Sequence, residues 1–355
     1  MPAFFSDVQQ VKLFLIKCSS HWVVQLGILL CACMLYMPAH SASAQWVIRF
    51  SHVVAQDTPK GLAAERFKAL VEQRSQGQIR VEVYPNGMLY GDHDEIQALT
   101  LGAVDILAPS LSKFSRLGLT EFDVFDLPFL FEHAIDVRKV TQGPVGQELL
   151  EKLQRQQWVG LGFMGNGFKH MSANKPLLEP SDYSGLKMRV QTSRVIGQQM
   201  RSLGAIPVPL SFSETRLALS KGIVNGTENP LSNFWTQGMH EVQSHLTLTA
   251  HGYLGYAVIT HQRFWSSLPG SMQALIKQAM NESLEFGNLI AEEQNEKALK
   301  AITTSGKTKV HQLTPEQRAR LKKAVQPVYD QWTRQYGFRL LDAIRSQTPS
   351  SFSNQ

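Results

Sequence analysis

An arginine is the residue of this chain best placed to do chemistry. The stretch Gly185-Leu186-Lys187-Met188-Arg189-Val190-Gln191 sets Arg189 in a short strand-like segment just after the turn Pro180-Ser181-Asp182-Tyr183-Ser184-Gly185. Alternation along a strand puts Leu186, Met188 and Val190 on one face and Lys187, Arg189 and Gln191 on the other. A guanidinium on a rigid strand is a fixed two-pronged donor matched to a carboxylate or phosphate. From these residues alone, an arginine in a surface ion pair serves as well.

Other candidate patterns fail on spacing. Gly160-Leu161-Gly162-Phe163-Met164-Gly165 matches the dinucleotide fingerprint in letters. That motif must open a helix, and here the glycines end one strand and lead into another. In His240-Glu241-Val242-Gln243-Ser244-His245 the histidines are five apart. That is about 140° round a helix, too far for one metal. The acids of Asp92-His93-Asp94-Glu95 suit the first turn of a helix, where they favour its dipole, better than a metal cluster. There is no Gly-x-Ser-x-Gly elbow and no phosphate-binding Gly-x-x-x-x-Gly-Lys loop. No cofactor, metal or catalytic group is expected.

The N-terminus has the order of an export signal. Lys12 and Lys17 precede an apolar run from Trp22 to Met37, and Ala42-Ser43-Ala44 follows. The run falls short of the ~20 residues of a membrane span. Cleavage after Ala44 is predicted, leaving Gln45 to Gln355 as the exported chain. All three cysteines (Cys18, Cys31, Cys33) lie in the segment removed, so the mature chain holds no thiol or disulfide. Loss of Lys12, Lys17 and Asp7 takes the net charge from +6 to +5. The charges are interspersed, without a basic run of nucleic-acid type. A chain of this length suggests two lobes.

The elements that must position Arg189 follow in order. Strands are predicted over Trp46–Val53, Ile79–Tyr84 and Val104–Ala108, with intervening helices, the first capped by Thr58 with Pro59 at its first position. This rhythm argues for an α/β lobe. Phe122–Phe131 reads as lobe core. A helix interrupted at Gly143-Pro144 leads to a strand over Trp158–Phe163, a turn at Gly165-Asn166-Gly167 and a strand over Phe168–Met171. After the Arg189 strand come helices around Val195–Leu203 and Glu214–Leu219, then a polar turn at Asn225–Pro230. Strand material returns at His245–Thr249 and Leu254–Thr260. A helix over Ser271–Ile302 is long enough to cross between lobes, and a last helix runs from Pro315 to about Ile344.

Several runs then carry a resemblance. They are Phe50-Ser51-His52-Val53-Val54-Ala55 with Thr58-Pro59-Lys60-Gly61, Val83-Tyr84-Pro85-Asn86 with Leu89-Tyr90-Gly91-Asp92, and Leu107-Ala108-Pro109-Ser110-Leu111-Ser112-Lys113-Phe114. Further on they are Asn166-Gly167-Phe168-Lys169, Gly185 to Arg189, Gly226-Thr227-Glu228-Asn229-Pro230, and His251-Gly252-Tyr253-Leu254-Gly255-Tyr256. Across the mature chain the sequence resembles the periplasmic solute receptors of TRAP transporters, in particular those for C4-dicarboxylates.

The resemblance implies an α/β fold of two lobes, joined by hinge strands and by a long helix spanning both. Residues 1–44 would be the signal peptide, 45–165 with 255–293 lobe I, 166–254 with 294–345 lobe II, and 346–355 a disordered tail. It also implies a binding protein rather than an enzyme, closing on a small dicarboxylate such as succinate, fumarate or malate. A monomer is expected, delivering its ligand to the membrane permease subunits of a sodium-driven transporter, with no nucleic-acid partner. Arg189 matches the family's carboxylate clamp. Lys169 lies where relatives often carry a second arginine, which exchanges a fork for a point charge. Asn229 matches an asparagine at the same carboxylate and Phe212 an aromatic wall; from the other lobe His52, Lys60 and Ser110 would face the cleft. Lys60, near a helix N-terminus, suits the second carboxylate. Receptors for sialic, uronic, aromatic or 2-oxo acids, a sensor-linked acid-binding protein, and an exported enzyme using the Asp92 cluster remain the alternatives.

Overall fold

The computed structural model describes residues 45–348. The expected signal segment and residues 349–355 lie outside the described residues. Nine strands form one sheet in the order β2-β1-β3-β8-β4-β7-β5-β6, with β9 added alongside β8. Two parallel groups make up its ends: β1 (Trp46–Ser51), β2 (Ile79–Tyr84) and β3 (Ile106–Leu107) at one, β5 (Lys187–Val190), β6 (Ile206–Pro209) and β7 (Gly226–Asn229) at the other. The antiparallel pair β4 (Trp158–Ala173) and β8 (His245–His261) runs through both groups and joins them.

Helices connect the strands. They are α1 (Pro59–Arg74), α2 (Glu95–Leu101), α3 (Ala134–Gln142), α4 (Pro144–Lys152), α5 (Arg194–Ser202), α6 (Phe212–Ser220), α7 (Leu231–Thr236) and α8 (Gln262–Ser267). Then come α9 (Gly270–Ser305), β9 (Lys309–Gln312), α10 (Pro315–Ala324), α11 (Gln326–Tyr336) and α12 (Arg339–Gln347). Helix α9 has 36 residues, roughly 54 Å at 1.5 Å per residue. It packs on α1 at one end of the sheet, on β4 along its length and on α7 at the other end. Three buried apolar clusters fill the molecule, one around Phe67 and Val81 under α1, a second around Phe212 and Phe234, and a large third containing Phe122, Phe125 and Trp332.

Several expectations are met residue by residue. Thr58 caps α1, its Oγ1 accepting from the Gly61 amide at 3.2 Å, with Pro59 in the first turn. Phe122, Phe125, Phe129 and Phe131 are buried as core.

Others need correction. The turn expected at Gly165-Asn166-Gly167 is continuous strand, and irregularities in pairing replace it between Gly165 and Gly167 and between Lys169 and Met171. Glycine is required there because of close approach: a Cβ on Gly165 would lie 1.8 Å from Tyr253 Oη. The polar turn at Asn225–Pro230 is instead strand β7, buried throughout between β4 and β5. Its polar residues have partners inside the sheet, which is what hydropathy alone misses. The last predicted helix is three, broken at Val325 and at Gly337 (φ +74°). Helix α12 packs on α3 and α4 while α11 packs on α5, so the C-terminal segment touches both ends of the sheet. The expected disordered tail begins too early, since Ser346 and Gln347 finish α12 and Thr348 is buried with its hydroxyl on the Ile344 carbonyl at 2.9 Å.

Candidate functional site

A cavity of about 200 Å³ opens where the two parallel groups of strands face each other. Five of the sequence-derived candidates line it: Arg189, Phe212 and Asn229 from the β5–β7 side, Lys60 and Ser110 from the β1–β3 side.

Strand β5 ends at Val190, and Arg189 is held in register against Val208 of β6 and Thr227 of β7. The expected alternation holds only in part, because Met188, Arg189 and Val190 are all buried and only Lys187 is exposed. A central strand is covered on both faces. Arg189 is 3% exposed. Its Nε and one terminal nitrogen donate to the Leu210 carbonyl at 3.0 and 2.8 Å, which fixes the plane of the guanidinium. Its central carbon lies 6.0 Å from the centre of the Phe212 ring. Burial pulls the guanidinium below its ordinary range, and the charges of Asp92, Glu228 and Glu214 oppose that shift. A group starting from 12.5 remains cationic at any physiological pH. Asn229, on the buried strand β7, lies opposite His170 of β4.

Lys60 sits in the first turn of α1 and is 1% exposed. Its Nζ donates to the Ala108 carbonyl at 3.0 Å and stands 3.8 Å from the centre of the Tyr256 ring. Burial pushes the ammonium down to about 7, with Lys113 adding to the shift and Glu95 and Asp92 opposing it. Ser110 accepts a 2.9 Å hydrogen bond from Gln191 Nε2, a bond between residues on opposite walls.

Two candidates lie outside the lining. Lys169 on β4 is turned into the sheet, where its Nζ meets Glu228 Oε1 at 2.9 Å while Glu228 Oε2 meets His251 Nε2 at 2.8 Å. The Lys169 and His251 charges and hydrogen bonds overcome the burial of Glu228 and hold its carboxyl well below the usual range. His52 is fully buried with its ring edge-on to Phe50, and neither ring nitrogen has a hydrogen-bond partner of ordinary geometry, the Val54 backbone being the polar group that faces it. Burial and then the Lys60 charge lower its pKa to about 3. As an uncharged ring it is a poor anion ligand.

Asp92 is the lining residue that sequence reasoning put elsewhere. It precedes α2 rather than lying in its first turn. Its Oδ2 accepts from the Phe212 amide, at the N-terminus of α6, at 2.5 Å, and its Oδ1 pairs with Lys113 Nζ at 2.5 Å. Lys113 also pairs with Glu95. Burial raises the Asp92 carboxyl, but Lys113, the Phe212 amide and Arg189 outweigh it and hold the pKa below the usual carboxylate value. The contact joins residues 120 apart in sequence, so nothing local in the chain could have signalled it. Among the described residues no group of three or more His, Cys, Asp or Glu is arranged to hold a metal.

The arrangement is a small polar chamber with cations on opposite walls and a carboxylate bridging them. Residues 50–335 match the family described as bacterial extracellular solute-binding protein, family 7. A curated relative, the C4-dicarboxylate-binding periplasmic protein DctP of Rhodobacter capsulatus, is 50% identical over 85% of this chain and 91% of its own length. A TRAP periplasmic solute-binding protein from Shewanella oneidensis, solved with bound succinate, is 43% identical with a TM-score of 0.83, covering 85% of this chain and 98% of that one. A third, from Pseudomonas aeruginosa with bound L-malate, is 39% identical with a TM-score of 0.78, over 80% and 99%.

Proposed function

The chain belongs to the bacterial extracellular solute-binding proteins of family 7, and from that premise we propose that it is the extracytoplasmic receptor of a TRAP transporter for C4-dicarboxylates. It binds succinate, fumarate or malate between two lobes and hands the ligand to a sodium-driven permease. One observation carries the reading: a chamber with a guanidinium held flat in one wall and an ammonium buried in the other. Two cations across a gap, Arg189 and protonated Lys60, select a short dianion by length as well as by charge. The relatives that bind succinate and L-malate support the same substrate class.

In this proposal Arg189 takes the first carboxylate with Asn229 beside it, and Phe212 covers it. Lys60 takes the second, with Ser110 at the closing edge. Lys169 acts from behind, through Glu228, on the strand that carries Asn229. His52 supports the wall beneath Lys60 without touching the ligand. The lobes are 45–165 with 255–293 and 166–254 with 294–345; helices α11 and α12, which touch both ends of the sheet, make the last boundary the one to examine first. Ligand bridging both walls favours the closed form by its differential affinity for it. The chain is exported, cleaved after Ala44, and works as a periplasmic monomer.

A thermal-shift screen of small organic acids on residues 45–355 tests the substrate class. Succinate, fumarate and malate should raise the melting temperature. A rise with sialic or uronic acids alone would reassign the receptor to another carboxylate.

A further inference from the structure

A pair of buried carboxyls lies outside the chamber and has no part in ligand contact. Asp123 and Asp126 are on the 3-10 turn Thr120–Asp126. Side chains three apart on a 3-10 helix eclipse one another, so the two carboxyls share one face. Asp123 is 1% exposed, and neither of its oxygens has a hydrogen-bond partner of ordinary geometry. Asp126 receives the Ser112 hydroxyl at 2.7 Å on Oδ1, and its Oδ2 has no partner of ordinary hydrogen-bond geometry, with the Ser193 side chain nearby. Two ionised carboxylates are not stable in such a place: a buried charge needs a partner or gives up its charge.

What covers the pair comes from the other wall. The segment leaving the Arg189 strand meets the opposite side point by point. Gln191 bonds Ser110 at 2.9 Å, Thr192 lines the chamber, the Ser193 side chain faces Asp126 and Arg194 faces Asp123. Other groups facing the pair are Ser115 from the preceding 3-10 turn, Tyr336 from α11, Lys169 from β4, Glu228 from β7 and, behind Glu228, His251 from β8. From α12, Arg339 faces the same turn at Glu121.

We propose that the Asp123–Asp126 pair is a proton site built into closure: the closed receptor holds Asp123 as the neutral acid, so ligand-driven closure takes up a proton there. The inference rests on the two-lobed receptor reading, in which the segment 191–194 and the turn 120–126 belong to opposite lobes and separate on opening. Burial, and then the charge of Asp126, raise the Asp123 carboxyl to about 7 in this closed arrangement. Asp126 is raised as well, chiefly by burial. An exposed Asp123 would titrate near 4, so closure at pH 6 binds about 0.9 proton and at pH 8 about 0.1. Lys60 gives the opposite trend, because it is mostly protonated already at pH 6 and has a proton to gain only above about 7.

Calorimetry of succinate binding in two buffers of different ionisation enthalpy reads the uptake directly. At pH 6 the wild type should take up about 0.9 proton more than Asp123→Asn, the fractional release from succinate's own second carboxyl being common to both. At pH 8 the variant, which mimics the neutral acid, should bind succinate up to about a thousandfold tighter, the cost the wild type meets when a carboxyl near 4 must close at about 7. Equal uptake by both proteins at pH 6 overturns the proposal. A second arm needs no ligand. Residues 45–355 contain no cysteine, and the Gln191–Ser110 contact spans a whole glutamine side chain, so Ser110→Cys with Gln191→Cys, tethered by a short bis-methanethiosulfonate reagent, holds the molecule closed when oxidised and releases it on reduction. NMR titration of the Asp123 carboxyl should then have its midpoint near neutrality when oxidised and in the ordinary aspartate range when reduced. If succinate fails to bind but this shift is present, the substrate reading fails and the proton site stands. If the shift is absent, the proton site fails whatever binds.

Discussion

The two walls of the chamber carry the same sign of charge in different states. Arg189 is held by two hydrogen bonds to one carbonyl and stays cationic at physiological pH. Lys60 is held by one carbonyl and an aromatic face, and burial brings it to about 7. Arginine spreads its charge over a weakly hydrated plane and tolerates burial, whereas a compact ammonium loses much of its hydration there. One wall is therefore a permanent clamp and the other a conditional one. The first recognises any carboxylate, and the second decides whether a second carboxylate is held and at what pH.

Removing the permanent clamp should do the most damage. Arg189→Ala should weaken succinate binding by on the order of 2–5 kcal/mol, since a buried carboxylate loses its partner. Arg189→Lys should recover only part of this, because a point charge replaces the fork. Calorimetry reads both. If Arg189→Lys binds as well as the wild type, the fork is irrelevant and the two walls do not differ in the way described. Lys60→Ala should cost roughly ten- to a hundredfold for succinate, the range of one charged hydrogen bond. It should leave the affinity for a monocarboxylate such as propionate unchanged. Equal loss for both acids would remove the division of labour.

The conditional wall also has a signature without ligand. The folded-state pKa of Lys60 lies below its ordinary 10.5. Stability should therefore rise as pH climbs from about 7 toward that value, where the unfolded chain gives up its proton too. Lys60→Met should stabilise the ligand-free protein by on the order of 1–3 kcal/mol at pH 7, the removed burial cost less the unpaired Ala108 carbonyl. The gain should shrink toward pH 10.5. Thermal unfolding at the two pH values decides it, and destabilisation at pH 7 would show that the lysine is not held at a cost. The smallest effect belongs to the cap that sets Lys60 in place: Thr58→Ala should cost ~1 kcal/mol through loss of the bond to the Gly61 amide.

The same contrast explains what could be read from the chain alone. Arg189 stands out by strand alternation, a preceding turn and a charge in an apolar run, but those local signals fit a surface ion pair equally well, and only the family resemblance selects the carboxylate clamp. Thr58 and Pro59, which position Lys60, are also local, and the structure places them at the start of α1. Asp92 was not legible, because its partners are Lys113 and the amide of Phe212, brought together only by the fold. Strand β7 has the sequence of a turn, because its four residues, Gly226-Thr227-Glu228-Asn229, are polar or small. Their burial is made tolerable by Lys169 and His251 from two other strands. The turn expected at Gly165 failed for the opposite reason. Glycine there answers a close approach by Tyr253 and not a reversal of the chain.

The most direct measurement is a crystal structure of residues 45–355 with succinate bound. The expected result has one carboxylate in the plane of the Arg189 guanidinium within hydrogen-bonding distance of Asn229, and the other turned toward Lys60. A succinate whose carboxylates both lie away from Arg189 would contradict the proposed clamp.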